Sequence, residues 1–181
     1  MTKRLFFGTY CDSNIFKSIY SDLKEDFDYC CKGKWVEPEN LHFTYKFLGD
    51  TDINLIPKII EGLNEVLKEH ESSLIYSGLG VFPNIQRPNV LHVKIINSDS
   101  VLLKLNDLIE KVCGKYGFER ESRKFSPHLT LQRIKTCNDL EEFKELLLDY
   151  KDFQFGTMTK FRINLIESKL TPKGPIYSII K

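Results

Sequence analysis

The sequence predicts an α+β fold in which two antiparallel sheets line a central cleft and helices cover the outside. Three observations lead there. First, the runs Leu41-His42-Phe43-Thr44-Tyr45-Lys46-Phe47 and Pro127-His128-Leu129-Thr130-Leu131 alternate polar and apolar residues, which is the period of a half-buried strand. Second, apolar residues recur at helical spacing in several other segments. Third, the order of elements nearly repeats: strand, helix, His-x-Thr strand, helix, and then strands, helix, His-x-Thr strand, helix. That repetition suggests a duplicated, bilobal unit within one domain spanning residues 1–181, two pseudo-symmetric lobes with one His-x-Thr motif each.

The elements follow in order. Arg4 to Tyr10 is apolar-rich and reads as a strand. Asp12 or Ser13 caps a helix whose apolar face is Ile15, Phe16, Ile19, Tyr20, Leu23 and Phe27. Trp35-Val36 and Leu41 to Leu48 are strands joined by the turn Pro38-Glu39-Asn40. A second helix carries Leu55, Ile56, Ile59, Ile60, Leu63, Val66 and Leu67, with Pro57 allowed only in its first turn. Ser73 to Phe82 and Val90 to Ile96 form a strand pair. A third helix starts at Ser98 or Asp99 and stops near Gly117. The second His-x-Thr strand follows, then a fourth helix capped by Asn138 or Asp139 and running to Tyr150. Strands at Met158 to Lys169 and Ile176 to Ile180, with the turn 171–175 between them, close the chain.

Of the 181 residues, 41% are hydrophobic and 12% aromatic, so a sizeable core is available and disorder is excluded. The formal net charge is only +1. A protein that coats long nucleic acids shows a basic stripe, so any such contact here is local, at an end or a small fragment. No apolar run reaches the length of a membrane span or a signal peptide. Cys11, Cys30, Cys31, Cys113 and Cys137 lack metal-site spacing and read as reduced thiols of a cytoplasmic protein. The balanced charge and small size favour a monomer.

On alternating strands His42, Thr44 and Lys46 share one face, and His128 shares a face with Thr130. Imidazole is the side chain best suited to act as both acid and base near neutral pH. Two of them flanking a phosphate can divide the work, one removing a proton from water and one protonating the departing oxygen. Threonine hydroxyls two residues along can hold the non-bridging oxygens. Lys46 is a candidate phosphate contact on the same face. Arg133 is another, although strict alternation points it away from the cleft and only a break at the strand end would bring it in. Arg123 and Lys124 fit a solvated charge cluster. His70 reads as a surface residue and His92 as structural, with pocket lining as its alternative. Tyr10, Phe82 and Tyr177 could stack on a base, with core packing as the default. Metal binding competes for paired histidines, but neither motif brings a carboxylate or cysteine at matching parity. Gly78-Leu79-Gly80 lacks the features of a phosphate loop and reads as strand and turn glycines.

At these residues the sequence resembles the 2H phosphoesterase superfamily, and within it the RNA 2′,3′-cyclic phosphodiesterase (2′-5′ RNA ligase) branch. The likeness runs through Arg4-Leu5-Phe6-Phe7, Pro38 to Thr44, Phe47-Leu48-Gly49, Gly80 to Pro83 with Arg87 to Leu91, Phe125 to Leu131 with Arg133, Ser168 to Leu170, and Gly174 to Tyr177. The resemblance implies hydrolysis of a ribose 2′,3′-cyclic phosphate to a 2′-phosphomonoester, on RNA 3′ ends or small nucleotides, with no required metal or cofactor. It implies that His42 is the proton donor and His128 the proton acceptor; Thr44, Thr130, Arg133 and Lys46 are the candidate phosphate contacts. Spacing alone does not assign the two histidine roles. The chain departs from the family pattern at Ser126, where a basic residue is frequent, and at His92, where tryptophan is common. The alternatives are a nucleotide-binding module with little turnover, or hydrolysis and ligation of 2′-5′ bonds.

Overall fold

The computed structural model describes residues 1–172 and 174–181. The chain runs β1 (Thr2–Tyr10), α1 (Tyr20–Cys30), β2 (Cys31–Trp35), β3 (His42–Asp52), α2 (Ile56–Gly62), β4 (Glu69–Asn84), β5 (Arg87–Ile96), α3 (Val101–Gly114), β6 (His128–Cys137), α4 (Leu140–Asp149), β7 (Gln154–Arg162), β8 (Asn164–Thr171) and β9 (Gly174–Ile179). Lys173, in the turn predicted at 171–175, lies outside the described residues. One antiparallel sheet has the order β3-β1-β8-β9 and the other β2-β6-β5-β4-β7. Each sheet carries one His-x-Thr strand, β3 in the first and β6 in the second. No helix is long and apolar enough to cross a membrane, among the described residues.

The two sheets are not built from the two halves of the sequence. β2, from the first half, pairs with β6 of the five-stranded sheet, and α1 packs beside β2 and α4. Phe27 of α1 meets Phe143 of α4 edge-on at 5.7 Å, and both are fully buried. In the opposite direction, α3 from the second half lies against β3 and α2. The strand predicted from Met158 to Lys169 is two strands, because the chain bends at Ile163 to pass from one sheet to the other. Thr9 Oγ1 and Asn164 Nδ2 both donate to the Arg162 carbonyl at that bend, at 2.9 and 3.2 Å. Ile163 itself is completely buried, so the bend is anchored by packing as well as by hydrogen bonds.

Local signals set most boundaries. The Asp139 side chain accepts from the Glu142 amide at the start of α4, and Asp99 accepts from the Val101 amide at the start of α3. Asp12 caps only a single turn at Ser13–Ile15, and α1 proper begins at Tyr20. The second helix is shorter than its periodicity suggests: α2 ends at Gly62, while Leu63, Val66 and Leu67 are buried from the turn that follows.

The cysteines differ from expectation. Cys31 and Cys137 are directly paired in the β2–β6 ladder and joined by a disulfide. Cys11, Cys30 and Cys113 are free and buried. Register pairing across two strands, invisible in the linear spacing, brings the bonded cysteines together.

Both motif strands are interrupted at the same place. In β3, Gly8 of β1 faces Thr44 and Phe7 faces Lys46, so Tyr45 is an extra residue. In β6, His92 of β5 faces Thr130 and Leu91 faces Gln132, so Leu131 is extra. Each bulge falls three positions after the histidine. A bulge reverses side-chain parity beyond it. Tyr45 and Lys46 are therefore both buried, as are Leu131 and Gln132, while Phe47 and Arg133 turn outward.

Candidate active site

His42 and His128 open the two motif strands, and each ring is held the same way. His42 Nδ1 lies 2.6 Å from the Asn40 carbonyl oxygen, and His128 Nδ1 lies 2.8 Å from the Ser126 carbonyl oxygen. A carbonyl only accepts, so Nδ1 carries the hydrogen in both rings and Nε2 is the nitrogen left for chemistry. The carbonyls come from the turn Pro38–Asn40 and from the residue before Pro127, so the prolines next to the motifs shape the anchors. Thr44 and Thr130 follow on the same faces and are half-buried.

The surroundings differ. Phe6, Tyr10 and Tyr177 enclose the His42 ring, with centroids at 5.1, 5.9 and 5.0 Å. His128 meets Phe82 and His92 edge-on at 4.9 and 5.2 Å. Phe82 stacks flat on His92 at 4.1 Å. The strands β3 and β6 approach each other where the sheets meet, and Phe125, ahead of the second motif, stacks on Tyr45 of the first at 5.8 Å.

Burial is the main cause that lowers both catalytic-candidate imidazoles below the ordinary histidine pKa. The anchoring carbonyls act against it, and the Arg133 charge lowers His42 further. Burial first, and then the charge of His128, pushes His92 down to about 4, so His92 is neutral at neutral pH.

Arg133 reaches the cleft because of the Leu131 bulge. Its charge is felt by both His42 and Tyr177, which places a guanidinium on the face where strict alternation would not put it. The same device removes Lys46. The bulge at Tyr45 turns Lys46 to the opposite side, where it is 2% exposed and donates to Glu110 Oε2 of α3 at 2.8 Å and to the Glu119 carbonyl at 2.7 Å. Lys46, expected as a phosphate contact, is a buried structural cation. Gln132 holds the corresponding place in β6, donating to Asp28, which also accepts from the Trp35 indole. Arg123 and Lys124 are exposed. His70 lies in β4, half-buried, bonded to the Val66 carbonyl and stacked on Phe161.

Tyr10, Phe82 and Tyr177, for which core packing was the default, all touch a motif histidine or its neighbour. Sequence reasoning missed Phe6. It read His92 as structural, whereas the ring packs directly on His128. The only signal for Phe6 was its place in β1, opposite the motif strand. Among the described residues no group of three or more histidine, cysteine and acidic side chains could hold a metal ion.

The Gly78-Leu79-Gly80 stretch has a steric role here. A Cβ on Gly80 would stand 2.6 Å from His92 Nε2, nearer than a methyl group can approach. Gly80→Ala is therefore expected to push His92 against His128 and lower kcat at least about tenfold while the protein stays folded, since small misplacements of reacting groups are costly. Steady-state kinetics with circular dichroism checks this, and a kcat within twofold of wild type would show that the ring moves freely.

The family model described as "LigT like Phosphoesterase" matches residues 18–92 and 96–177, with one histidine motif in each segment. The chain belongs to the LigT-like phosphoesterase family. It is 36% identical over 180 residues to the RNA 2′,3′-cyclic phosphodiesterase of Aquifex aeolicus, covering 98% of this chain and 95% of that one. To the protein of the same name from Methanocaldococcus jannaschii it is 36% identical over 179 residues, covering 98% of both. Escherichia coli LigT complexed with 3′-AMP superposes with a TM-score of 0.79 at 18% identity, over 100% of this chain and 97% of that one. TT0787 of Thermus thermophilus superposes at 0.75 with 21% identity, over 98% and 95%. The structural likenesses establish the shared fold; the sequence relatives establish a phosphodiesterase.

Proposed function

We propose that this LigT-like phosphoesterase opens ribose 2′,3′-cyclic phosphates, at RNA 3′ ends or on small nucleotides, to leave a 2′-phosphomonoester. The observation that carries the reading is the pair of imidazoles with identical Nδ1–carbonyl anchors, one on each sheet. The full-length relatives named for this activity support it. In this mechanism His128 Nε2 takes a proton from a water molecule whose oxygen bonds to phosphorus. The bond from phosphorus to the 3′ oxygen breaks, and protonated His42 gives its Nε2 proton to that oxygen. Thr44 and Thr130 hydroxyls and the Arg133 guanidinium hold the non-bridging oxygens, where charge builds up. His42, with a lowered pKa, is a stronger proton donor but is protonated over a narrower range of pH.

The test is incubation with a 2′,3′-cyclic nucleotide in EDTA, followed by phosphorus NMR. A 2′-phosphate is the expected product; a 3′-phosphate, or unreacted substrate, overturns the reading.

The pH dependence follows from the shifts. The active free enzyme needs one imidazole protonated and the other neutral, so kcat/KM is bell-shaped and centred between the two pKa values. Both are lowered from 6.5, which puts the maximum of kcat/KM below pH 6.5. A maximum above pH 7 would contradict the assignment.

A further inference from the structure

We propose that the stacked pair of Phe82 and His92 walls the side of the site where the nucleophile enters. It admits water and turns away larger alcohols, so that the enzyme hydrolyses its substrate in preference to transferring the phosphate to another hydroxyl. The proposal rests on the cyclic phosphodiesterase reading above.

The two imidazoles have separate surroundings. Phe6, Tyr10 and Tyr177 lie against His42, and Phe82 and His92 lie against His128. Among the described residues no ring touches both. In a displacement at phosphorus the entering and leaving oxygens stand roughly in line, on opposite sides of the phosphorus. His42 protonates the leaving 3′ oxygen, so the ribose lies with His42 and its aromatic neighbours. The nucleophile must meet His128 Nε2 and therefore enters on the other side, where Phe82 and His92 stand.

The wall reaches that place across three strands. His92 pairs with Thr130 of β6 on one side and with Gly80 of β4 on the other. Phe82 starts two residues further along β4, opposite Val90, which in turn faces Arg133. Its ring leans back over His92 and meets the His128 ring. Centroid separations of 4.9 and 5.2 Å, at interplanar angles of 77° and 65°, are edge-to-face contacts, so nothing fits between these rings and the imidazole. The wall is also backed. His92 is 5% exposed and rests on Gly80, where there is no room for a methyl group. Phe82, at 37% exposed, is the ring that borders the open cleft.

Water needs room for one oxygen beside His128 Nε2. An alcohol also needs room for the carbon on its oxygen, which points away from phosphorus and toward the wall. The chemistry itself accepts either. With an alcohol, His128 Nε2 takes the hydroxyl proton, the alcohol oxygen bonds to phosphorus, the bond from phosphorus to the 3′ oxygen breaks, and protonated His42 gives its proton to that oxygen. The product is a 2′-phosphodiester with a free 3′-hydroxyl, and the cyclic phosphate is the only other reactant. The choice between hydrolysis and transfer is therefore one of space on the His128 side, and Phe82 is the residue that sets it.

The test is turnover of a 2′,3′-cyclic nucleotide in water containing glycerol or methanol, with the 2′-monoester and 2′-diester products distinguished by phosphorus NMR. The diester-to-monoester ratio compares nucleophiles within one reaction, so a change in overall rate does not enter it. Phe82→Ala is expected to raise the glycerol ratio by about tenfold and the methanol ratio by less than about twofold, the lower range of size discrimination by an apolar pocket. Phe82→Leu, which keeps part of the bulk, is expected to fall between, and it decides by the same ratio if Phe82→Ala is inactive. An unchanged glycerol ratio, or an equal rise with both alcohols, overturns the wall. A rise in Tyr10→Ala in place of Phe82→Ala puts the nucleophile beside His42 and overturns it too. Each of these results leaves the opening of the cyclic phosphate standing. Wild type that leaves the nucleotide unreacted in water overturns that reading, and the proposal with it.

Discussion

His42→Ala and His128→Ala are each expected to lower kcat by about 10²–10⁴-fold, the usual value of a positioned proton-transfer group, with little change in unfolding midpoint. Both rings are partly exposed at the cleft, and their single hydrogen bonds go to carbonyls that water can satisfy in their absence. Because the two groups act in one proton-transfer sequence, the double variant is expected to lose much less than the product of the single losses. The residual activity distinguishes their roles. Losing the acid abolishes the alkaline limb of the kcat/KM profile, and losing the base abolishes the acidic limb. His42→Ala should therefore flatten the alkaline side and His128→Ala the acidic side. The opposite pattern would exchange the assignments while keeping the pair, and full activity in either variant would remove the two-histidine mechanism.

The second large effect concerns stability. Glu110→Ala is expected to destabilise the protein by about 3–5 kcal/mol, because it leaves a desolvated ammonium without its partner. Lys46 and Glu110 side chains are 2% and 4% exposed, with 2.8 Å between Nζ and Oε2. The Glu119 carbonyl remains as an acceptor for Lys46, but it carries no charge. Replacing both partners with apolar residues of similar volume, as in Lys46→Met with Glu110→Leu, is expected to recover most of the loss. Among the described residues Glu110 Oε1 has no hydrogen-bond partner, so the pair is imperfectly satisfied. Urea unfolding of the wild type and the two variants decides the matter. A cost below about 1 kcal/mol for Glu110→Ala would mean that water reaches the pair, as at an exposed salt bridge.

The contrast between Lys46 and Arg133 shows what could be read from the chain and what could not. Alternation assigns Lys46 to the histidine face and Arg133 away from it. The structure reverses both, and for one reason. A bulge at Tyr45 and another at Leu131 shift the parity of the residues that follow directly, Lys46 and Arg133 among them. Upstream of the bulges alternation holds, so His42, Thr44, His128 and Thr130 lie as the pattern predicts. The third and fourth helix starts were also legible, because Asp99 and Asp139 act within a few residues of their own positions.

The Cys31–Cys137 bond, the division of the last long strand at Ile163 and the packing of α1 beside β2 and α4 and of α3 against β3 and α2 were not legible. Each depends on which strand lies next to which. His92 belongs with them, since its importance comes from Phe82 and His128 on two other strands.

By itself, then, the amino-acid order determined the fold class, the two motif strands and the chemistry they can perform, because capping, periodicity and motif spacing act over a few residues. The tertiary structure alone decided which cation turns to the histidine face, which one is buried, and what surrounds each imidazole. A bulge is a mismatch between two paired strands. Its position depends on the partner strand's register and packing, and so does the face presented by every residue beyond it.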